Sequence, residues 1–430
     1  MSVPPRGSGQ ADLRRSNLAA VLANVRAAGP RRVREIAADL GLSRPTVADL
    51  VRTLEGWGLV DWAEDARPDR AGGDRPGPGG SGVGRPARLV RFRAESGHVA
   101  GIDVGPHRLV VLVADLQGDV VGRWRLDGHG LTADQAGREV CGRLAALLTA
   151  LPGSNGLNGL NGSGGSGGPN GPNGPNGPNG SGGPNGPNGA NGLRAVAVAT
   201  PGLVAPPGTA PHPPYGPWPV AGLLADLRAA YPECPVLVEN DANLGVLGEH
   251  RHGAARGLGT VAYVHWGARV GAGLIVHGRL HRGAAGAAGE LGQFAPVDAP
   301  ADRRNDRRSD RGDDRGDDRR DDSRVDPGRP GRLERQLLDV DLADPEARAV
   351  AVDRIGAALA ALSHLLDPEA VVIGGGVVEG DPTIVDDLRV LLERIALSPP
   401  VLHHSPLRNE SAAVGAVGLA LETAERTLLP

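Results

Sequence analysis

Apolar residues recur at helical spacing through the N-terminal stretch, and as strand-like runs from Val99 onward. Val47, Leu50, Val51 and Leu54 fall at the i, i+3, i+4, i+7 spacing of a buried helical stripe. That stripe leaves Arg44, Thr46, Ala48, Asp49 and Arg52 facing away from it. Ser43 is placed to cap this helix, and Pro45 is tolerated in a first turn whose amides have no helical partner. Upstream, Val33, Ile36, Ala37 and Leu40 mark a shorter helix, with Gly41 supplying the turn between the two. A first helix over about Arg14 to Ala28 carries Leu18, Val21, Leu22 and Val25 and stops at Gly29-Pro30. Leu59 to Trp62 and Ala87 to Phe92 read as two strands of a wing, and Gly84-Arg85-Pro86 forms a compact basic turn before the second. Three helices, a turn and a wing in this order predict a winged helix-turn-helix unit, with Ser43, Arg44, Pro45, Thr46, Ala48, Asp49, Arg52 and Arg85 as candidate contacts to double-stranded DNA. Any small helical domain could show the same spacing, and that is the plainer alternative.

After Val99 the pattern becomes strand, turn and helix. Val99 to Gly105, Leu109 to Ala114 and Val120 to Leu126 predict strands, and Leu131 to Leu151 a helix. Ala195 to Ala199 and Val236 onward predict buried strands, followed by a helix to Gly253 and strands at Val261 to Val264 and Gly271 to Ile275. Two segments interrupt this body. Ser154 to Gly192 is almost wholly Gly, Asn, Pro and Ser and cannot bury enough apolar area to offset chain entropy. Asp302 to Arg324 alternates Asp with Arg, the composition of a solvated polyampholyte. The reading divides the chain into a disordered tail (1–11), a winged domain (12–93) and a body (97–430) with disordered insertions at 152–192 and 299–329.

Composition narrows the function classes. The formal charge of −4 argues against a basic coat over the whole surface, but arginine outnumbers acid between Asp12 and Val60, where DNA would lie. Cys141 and Cys234 are too few for a disulfide framework or a four-ligand zinc site. Without an apolar run of about 18 residues or a signal-peptide core, the expectation is a cytoplasmic protein with no membrane partner. His250, His252, His403 and His404 form no metal pattern and are expected at the surface.

A set of short motifs is more specific in its order than any one is alone. These are Glu239-Asn240-Asp241-Ala242-Asn243, Gly253-Ala254-Ala255-Arg256-Gly257, Gly278-Arg279-Leu280, Ala287-Ala288-Gly289-Glu290-Leu291-Gly292, Gly331-Arg332-Leu333-Glu334, and Leu366-Asp367-Pro368-Glu369 through Gly374-Gly375-Gly376. Together they resemble the ROK family of repressors and sugar kinases, and specifically its transcriptional regulators. The resemblance implies an α/β fold: an actin-like, ribonuclease H-like body of two lobes with a sugar cleft between them. It also implies that Asn240, Asp241, Glu290 and Glu334 hydrogen-bond sugar hydroxyls, that Asp241 stands at the kinase general-base position, and that Gln293 replaces a family histidine. Carboxylates and amides suit this task because each binds adjacent hydroxyls in fixed directions. The alternatives are an Asx turn for Asp241 and loop or cap ties for Glu290 and Glu334.

Three departures separate a sensor from a kinase. The first phosphate loop is Asp103-Val104-Gly105-Pro106-His107-Arg108, in which Pro106 removes an amide donor. The second, Gly267-Ala268-Arg269, has lost a hydroxyl and a glycine and gained a bulky cation. The family's zinc segment lacks its cysteines, so neither metal nor cofactor is expected. Gly374-Gly375-Gly376 would meet adenosine in a kinase but equally starts a turn and helix. The sequence therefore predicts a sugar-responsive transcriptional regulator, read as a repressor and working as a homodimer or homotetramer, without catalysis. The rivals are an active ATP-dependent sugar kinase carrying a DNA-binding domain, supported by Asp103, Asp241 and the triple glycine, and a ligand-independent DNA-binding or scaffold protein.

Overall fold

The computed structural model describes residues 9–64, 88–105, 107–128, 130–151, 192–204, 220–294, 331–337 and 340–429. Helices α1 (Gln10–Ala28), α2 (Val33–Leu40) and α3 (Arg44–Gly56) precede an antiparallel ribbon of β1 (Val60–Glu64) and β2 (Arg88–Phe92), with Val60 opposite Phe92. The amide of Thr46 donates to Ser43 Oγ at 3.2 Å, which fixes the start of α3. Leu18, Val21, Val25, Ile36, Val47, Leu50, Val51 and Leu54 all bury in one core, as the periodicity predicts. Helix α1 starts at Gln10 rather than Arg14, and Asp12 in its first turn suits the helix dipole there. The expected wing tip between Ala66 and Ser81, Arg85 and both insertions lie outside the described residues, except that Gly192, expected disordered, is placed and its carbonyl accepts from His98 N at 2.8 Å.

The first lobe is a sheet ordered β5-β4-β3-β6-β7. Its strands are β3 (His98–Val104), β4 (Arg108–Asp115), β5 (Val120–Asp127), β6 (Leu193–Thr200) and β7 (Val236–Asn240). Strand β6 shows how a two-sided core reads in sequence. Val196 and Val198 pack with α4 (Ala133–Ala150) and α5 (Ala221–Ala230), whereas Ala195, Ala197 and Ala199 turn to the opposite face. Both faces are covered, so the run is apolar without alternation.

Helix α6 (Asp241–His252) leads to the second lobe, where β8 (Val261–Trp266), β9 (Val270–Val276), β10 (Arg279–Leu280), β11 (Ala370–Gly374) and β12 (Val401–His404) are ordered β10-β9-β8-β11-β12. In each sheet the central strand has antiparallel neighbours on one side and parallel neighbours on the other. The second lobe thus repeats the pattern of the first, the architecture expected of an actin-like body. Helices α7 (Arg332–Leu337), α8 (Pro345–Leu366), α9 (Gly376–Gly380) and α10 (Ile384–Ile395) belong to this lobe, and α11 (Ser411–Thr427) closes the chain. Among the described residues α8 alone is long and apolar enough to cross a membrane by length and composition; Ile355, Leu359 and Leu362 bury it in the lobe core.

Helices α6 and α11 lie between the sheets and touch backbone to backbone. A Cβ on Gly415 would overlap the carbonyl oxygen of Leu244, and one on Gly248 that of Ser411. The far end of α11 meets the winged domain: Leu428 and Leu429 join the apolar cluster of Leu18 and Val21, Arg26 pairs with Glu425, and Arg15 donates to the Leu429 carbonyl at 3.1 Å.

Candidate functional site

A cleft of about 350 Å³ opens between the lobes, within the range of small-ligand pockets. Asn240 and Asp241 line it from the end of β7 and the start of α6, and Arg269, Glu290, Gln293 and Glu334 from the second lobe. The five residues expected to meet a sugar therefore border one space.

Each is held differently. Asn240 caps α6: its Oδ1 accepts from the Asn243 amide at 2.9 Å, and its Nδ2 donates to the Gly202 carbonyl at 2.9 Å. The capping role considered for Asp241 therefore belongs to its neighbour. Asp241 accepts the amide of Ala242 at 2.8 Å and lines the cleft. Burial pushes its carboxyl up to about 7, helped by Asp103 and Glu290. Glu290 follows Gly289, whose φ of 89° and whose fit against the Ala272 carbonyl exclude a side chain. Burial, and then the charge of Glu334, raise the Glu290 carboxyl, while Arg269 opposes them. Glu334 is buried and largely committed: Oε1 accepts from Val270 N at 3.0 Å and Oε2 from Gly331 N at 2.6 Å, with Arg269 at 3.6 Å. The loop tie considered for it is thus present. Gln293 is exposed, in the short 3-10 turn Leu291–Gln293.

Beneath the cleft lies a second cavity of about 20 Å³, the size of one water molecule, lined by Asp103, Arg108, Asp241, Tyr263, His265 and Asn409 among others. Asp103 is buried and its carboxyl is raised by that burial, with the Arg108 guanidinium 3.5 Å away. Burial and then Arg108 push the His265 imidazole down to about 4, so it is neutral at neutral pH. Sequence reasoning missed Tyr263, His265 and Asn409. The available signal was in β8, where Tyr263 and His265 alternate with Ala262 and Val264 and so share one face of an otherwise apolar strand.

Both altered loops are tight hairpin turns. The Gly105 amide donates to the Arg108 carbonyl at 3.0 Å, and that of Gly267 to the Arg269 carbonyl at 3.0 Å. Pro106 lies outside the described residues. In the triple glycine, a Cβ on Gly375 would strike the Trp266 carbonyl, which gives that residue a packing role.

The ROK family matches residues 186–304 and 340–423, and the IclR helix-turn-helix domain matches residues 16–63. The chain carries a ROK domain behind a helix-turn-helix. A glucokinase of Halalkalibacterium halodurans is 30% identical over 183 residues, 38% of this chain and 55% of that protein. The xylose repressor of Bacillus subtilis is 25% identical over 256 residues, 59% of this chain and 53% of that protein. The chain spans about half the length of these two curated relatives. A solved ROK family transcriptional regulator, a homolog of the E. coli MLC protein, aligns over 97% of this chain and 98% of its own with a TM-score of 0.58 and 18% identity, a likeness of fold.

In front of the ROK domain, Arg44, Pro45 and Thr46 are exposed at the N-terminal end of α3. Other candidates there have local duties. Ser43 Oγ lies 2.7 Å from Thr46 Oγ1, Asp49 pairs with Arg14 at 2.9 Å and with Arg52 at 3.4 Å, and Ala48 is half-buried. His252 is exposed as expected, but His250, His403 and His404 are half-buried, because α6 and β12 pack inside the ROK domain; His250 Nε2 meets the Leu258 carbonyl at 2.9 Å.

Proposed function

We propose that this chain is a sugar-responsive transcriptional regulator, a repressor, whose ROK domain senses a sugar or sugar derivative without phosphorylating it. The observation that carries the reading is the pairing of an intact carboxylate-lined cleft, centred on Asp241 and Glu290, with turns that carry Pro106 and Arg269 where a kinase holds phosphates. Asn240, Gln293 and Glu334 complete the sugar site, and Arg44, Pro45, Thr46 and Arg52 form the DNA-facing edge of α3. The winged domain rests on α11, and α11 on α6, so a lobe movement at Asp241 has a packed route to the DNA-binding helix. Two such helices about 34 Å apart read successive major grooves, so the active form is a homodimer or homotetramer acting on operator DNA in the cytoplasm.

A second reading, an active sugar kinase, draws on one observation: a carboxyl near 7 is suited to a general base. Two measurements on the purified protein decide. A duplex enriched from a random library is titrated by fluorescence anisotropy with and without D-glucose or D-xylose, and ATP consumption is followed with the same sugars. The regulator reading requires a sugar-dependent change in duplex affinity and no turnover. Sustained turnover abolished by Asp241→Asn establishes the kinase instead.

A further inference from the structure

The cleft is built from two lobes, and an ion pair between a half-buried arginine and a buried carboxylate links them beside it. Glu239, at the end of β7, is only 3% exposed. Its Oε1 accepts from the backbone amide of Asn240 at 2.9 Å and from Asn243 Nδ2 at 3.0 Å, and its Oε2 accepts from Arg282 Nε at 2.5 Å. Glu239 thereby braces the residues on either side of Asp241. Arg282 belongs to the other lobe, in the loop between β10 and the turn that presents Glu290 and Gln293. The Arg282 carbonyl accepts from Ala288 N at 3.2 Å, and the Gly289 carbonyl accepts from Ala272 N at 2.7 Å. One guanidinium thus connects the strand that delivers Asp241 to the loop that delivers Glu290.

We infer that Arg282 is a positioning residue for the sugar site: through Glu239 it sets the spacing between Asp241 and Glu290 and holds the lobes at the separation that fits a monosaccharide. Among the described residues Arg282 is the one charged partner of this buried carboxylate, and removing it leaves the remaining charge without compensation. The loop has no comparable anchor to β7 among the described residues. A lysine could restore the charge but not the rigid fork that directs the bond along Nε.

The inference rests on the cleft being a sugar site, so its test has an arm that needs no sugar. Arg282→Met and Arg282→Lys in the full chain are compared with the parent by hydrogen exchange of residues 240–243 and 283–293, and by calorimetric titration with D-glucose and D-xylose. Arg282→Met should raise exchange in both segments at least tenfold, leave exchange in α8 and α10 unchanged, and weaken whichever sugar the parent binds at least tenfold. Arg282→Lys should recover part of both effects. Glu239→Gln, which keeps an acceptor oxygen but not the charge, should move the same two segments in the same direction and decides the matter if Arg282→Met does not fold. Unchanged exchange in the two segments overturns the proposal, as does a sugar affinity within twofold of the parent. If the parent binds neither sugar, the function proposed above loses its support for these probes, and exchange alone then decides whether Arg282 is the clasp.

Discussion

Replacing Asp241 with asparagine tests the electrostatics of the cleft directly. The side chain keeps its shape and an oxygen to accept the Ala242 amide, but can no longer ionise. In the native protein burial, with Asp103 and Glu290, raises the Asp241 carboxyl from 3.8 to about 7. Between those values the folded state binds a proton that the unfolded chain releases, so the contribution of this group to stability is fully present below about pH 4 and is lost as pH rises through 7. A displacement of about three pH units corresponds to about 4 kcal/mol at most. Solvent access through the open cleft screens part of this and brings the expected loss to about 2 kcal/mol. Urea unfolding at fixed ionic strength from pH 4.5 to pH 8 should show the parent losing that much relative to Asp241→Asn, with most of the difference developing below pH 7. The variant keeps a smaller slope from Asp103 and Glu290, whose carboxyls are also raised and titrate with Asp241 as a coupled set. Parallel pH profiles for the two proteins would refute the argument.

On the DNA side, Arg44→Ala should relax sequence preference by about 1–3 kcal/mol in a competition binding assay, because this arginine stands exposed at the N-terminal end of α3, the end proposed to meet DNA. In the cleft, Asp241→Ala should weaken sugar binding at least about tenfold by calorimetry, since a hydrogen bond to a charged group contributes about 1.5–3 kcal/mol, while DNA affinity without sugar stays at the parent value. Gly415→Ala should lower the thermal midpoint of the body sharply, because the new methyl overlaps the Leu244 carbonyl and nothing flexible can yield. Arg26→Ala should leave sugar affinity unchanged but reduce the sugar-induced shift in duplex affinity, since it removes the ion pair between the winged domain and Glu425.

Residues whose role follows from local periodicity were legible in the sequence. The stripe Val47, Leu50, Val51 and Leu54 is buried as written, and the Ser43 cap is where its chemistry requires it. The five sugar-site candidates border one cleft because their motifs mark strand ends and turns, which the fold brings to the same edge. What was not legible depends on contacts between distant segments. Glu239 read only as part of a motif, Arg282 carried no signal, and only the folded chain puts them 2.5 Å apart. Likewise Tyr263 and His265 alternate along β8 in a way the sequence shows, but that Asn409 joins them around one cavity with Asp241 is a long-range meeting with no local signal. The apolar length of helix α8, interrupted by Asp353 and Arg354, reflects burial within a lobe.

The geometry also explains why a kinase-like body is suited to report sugar to DNA. Helix α6 begins at Asp241 in the cleft and α11 ends at the winged domain, and at roughly 1.5 Å per residue they are about 18 Å and 26 Å long. They meet through Gly248 and Gly415 with no side chain between their backbones. An interface of this kind has little compressible material, so a tilt of α6 is passed to α11 instead of being absorbed by rotamer changes. A tilt of about 5° over the length of α11 moves its far end by about 2 Å. Leu428, Leu429 and Glu425 sit at that end, against α1, and α1 packs on α3. In a dimer such a displacement acts on both recognition helices at once, which changes their spacing relative to the fixed repeat of the major groove. The strength of the response is bounded by how much better sugar binds one lobe arrangement than the other. On the proposed reading, an Asp241 variant that does not bind sugar leaves the DNA-binding unit folded and still silences the switch.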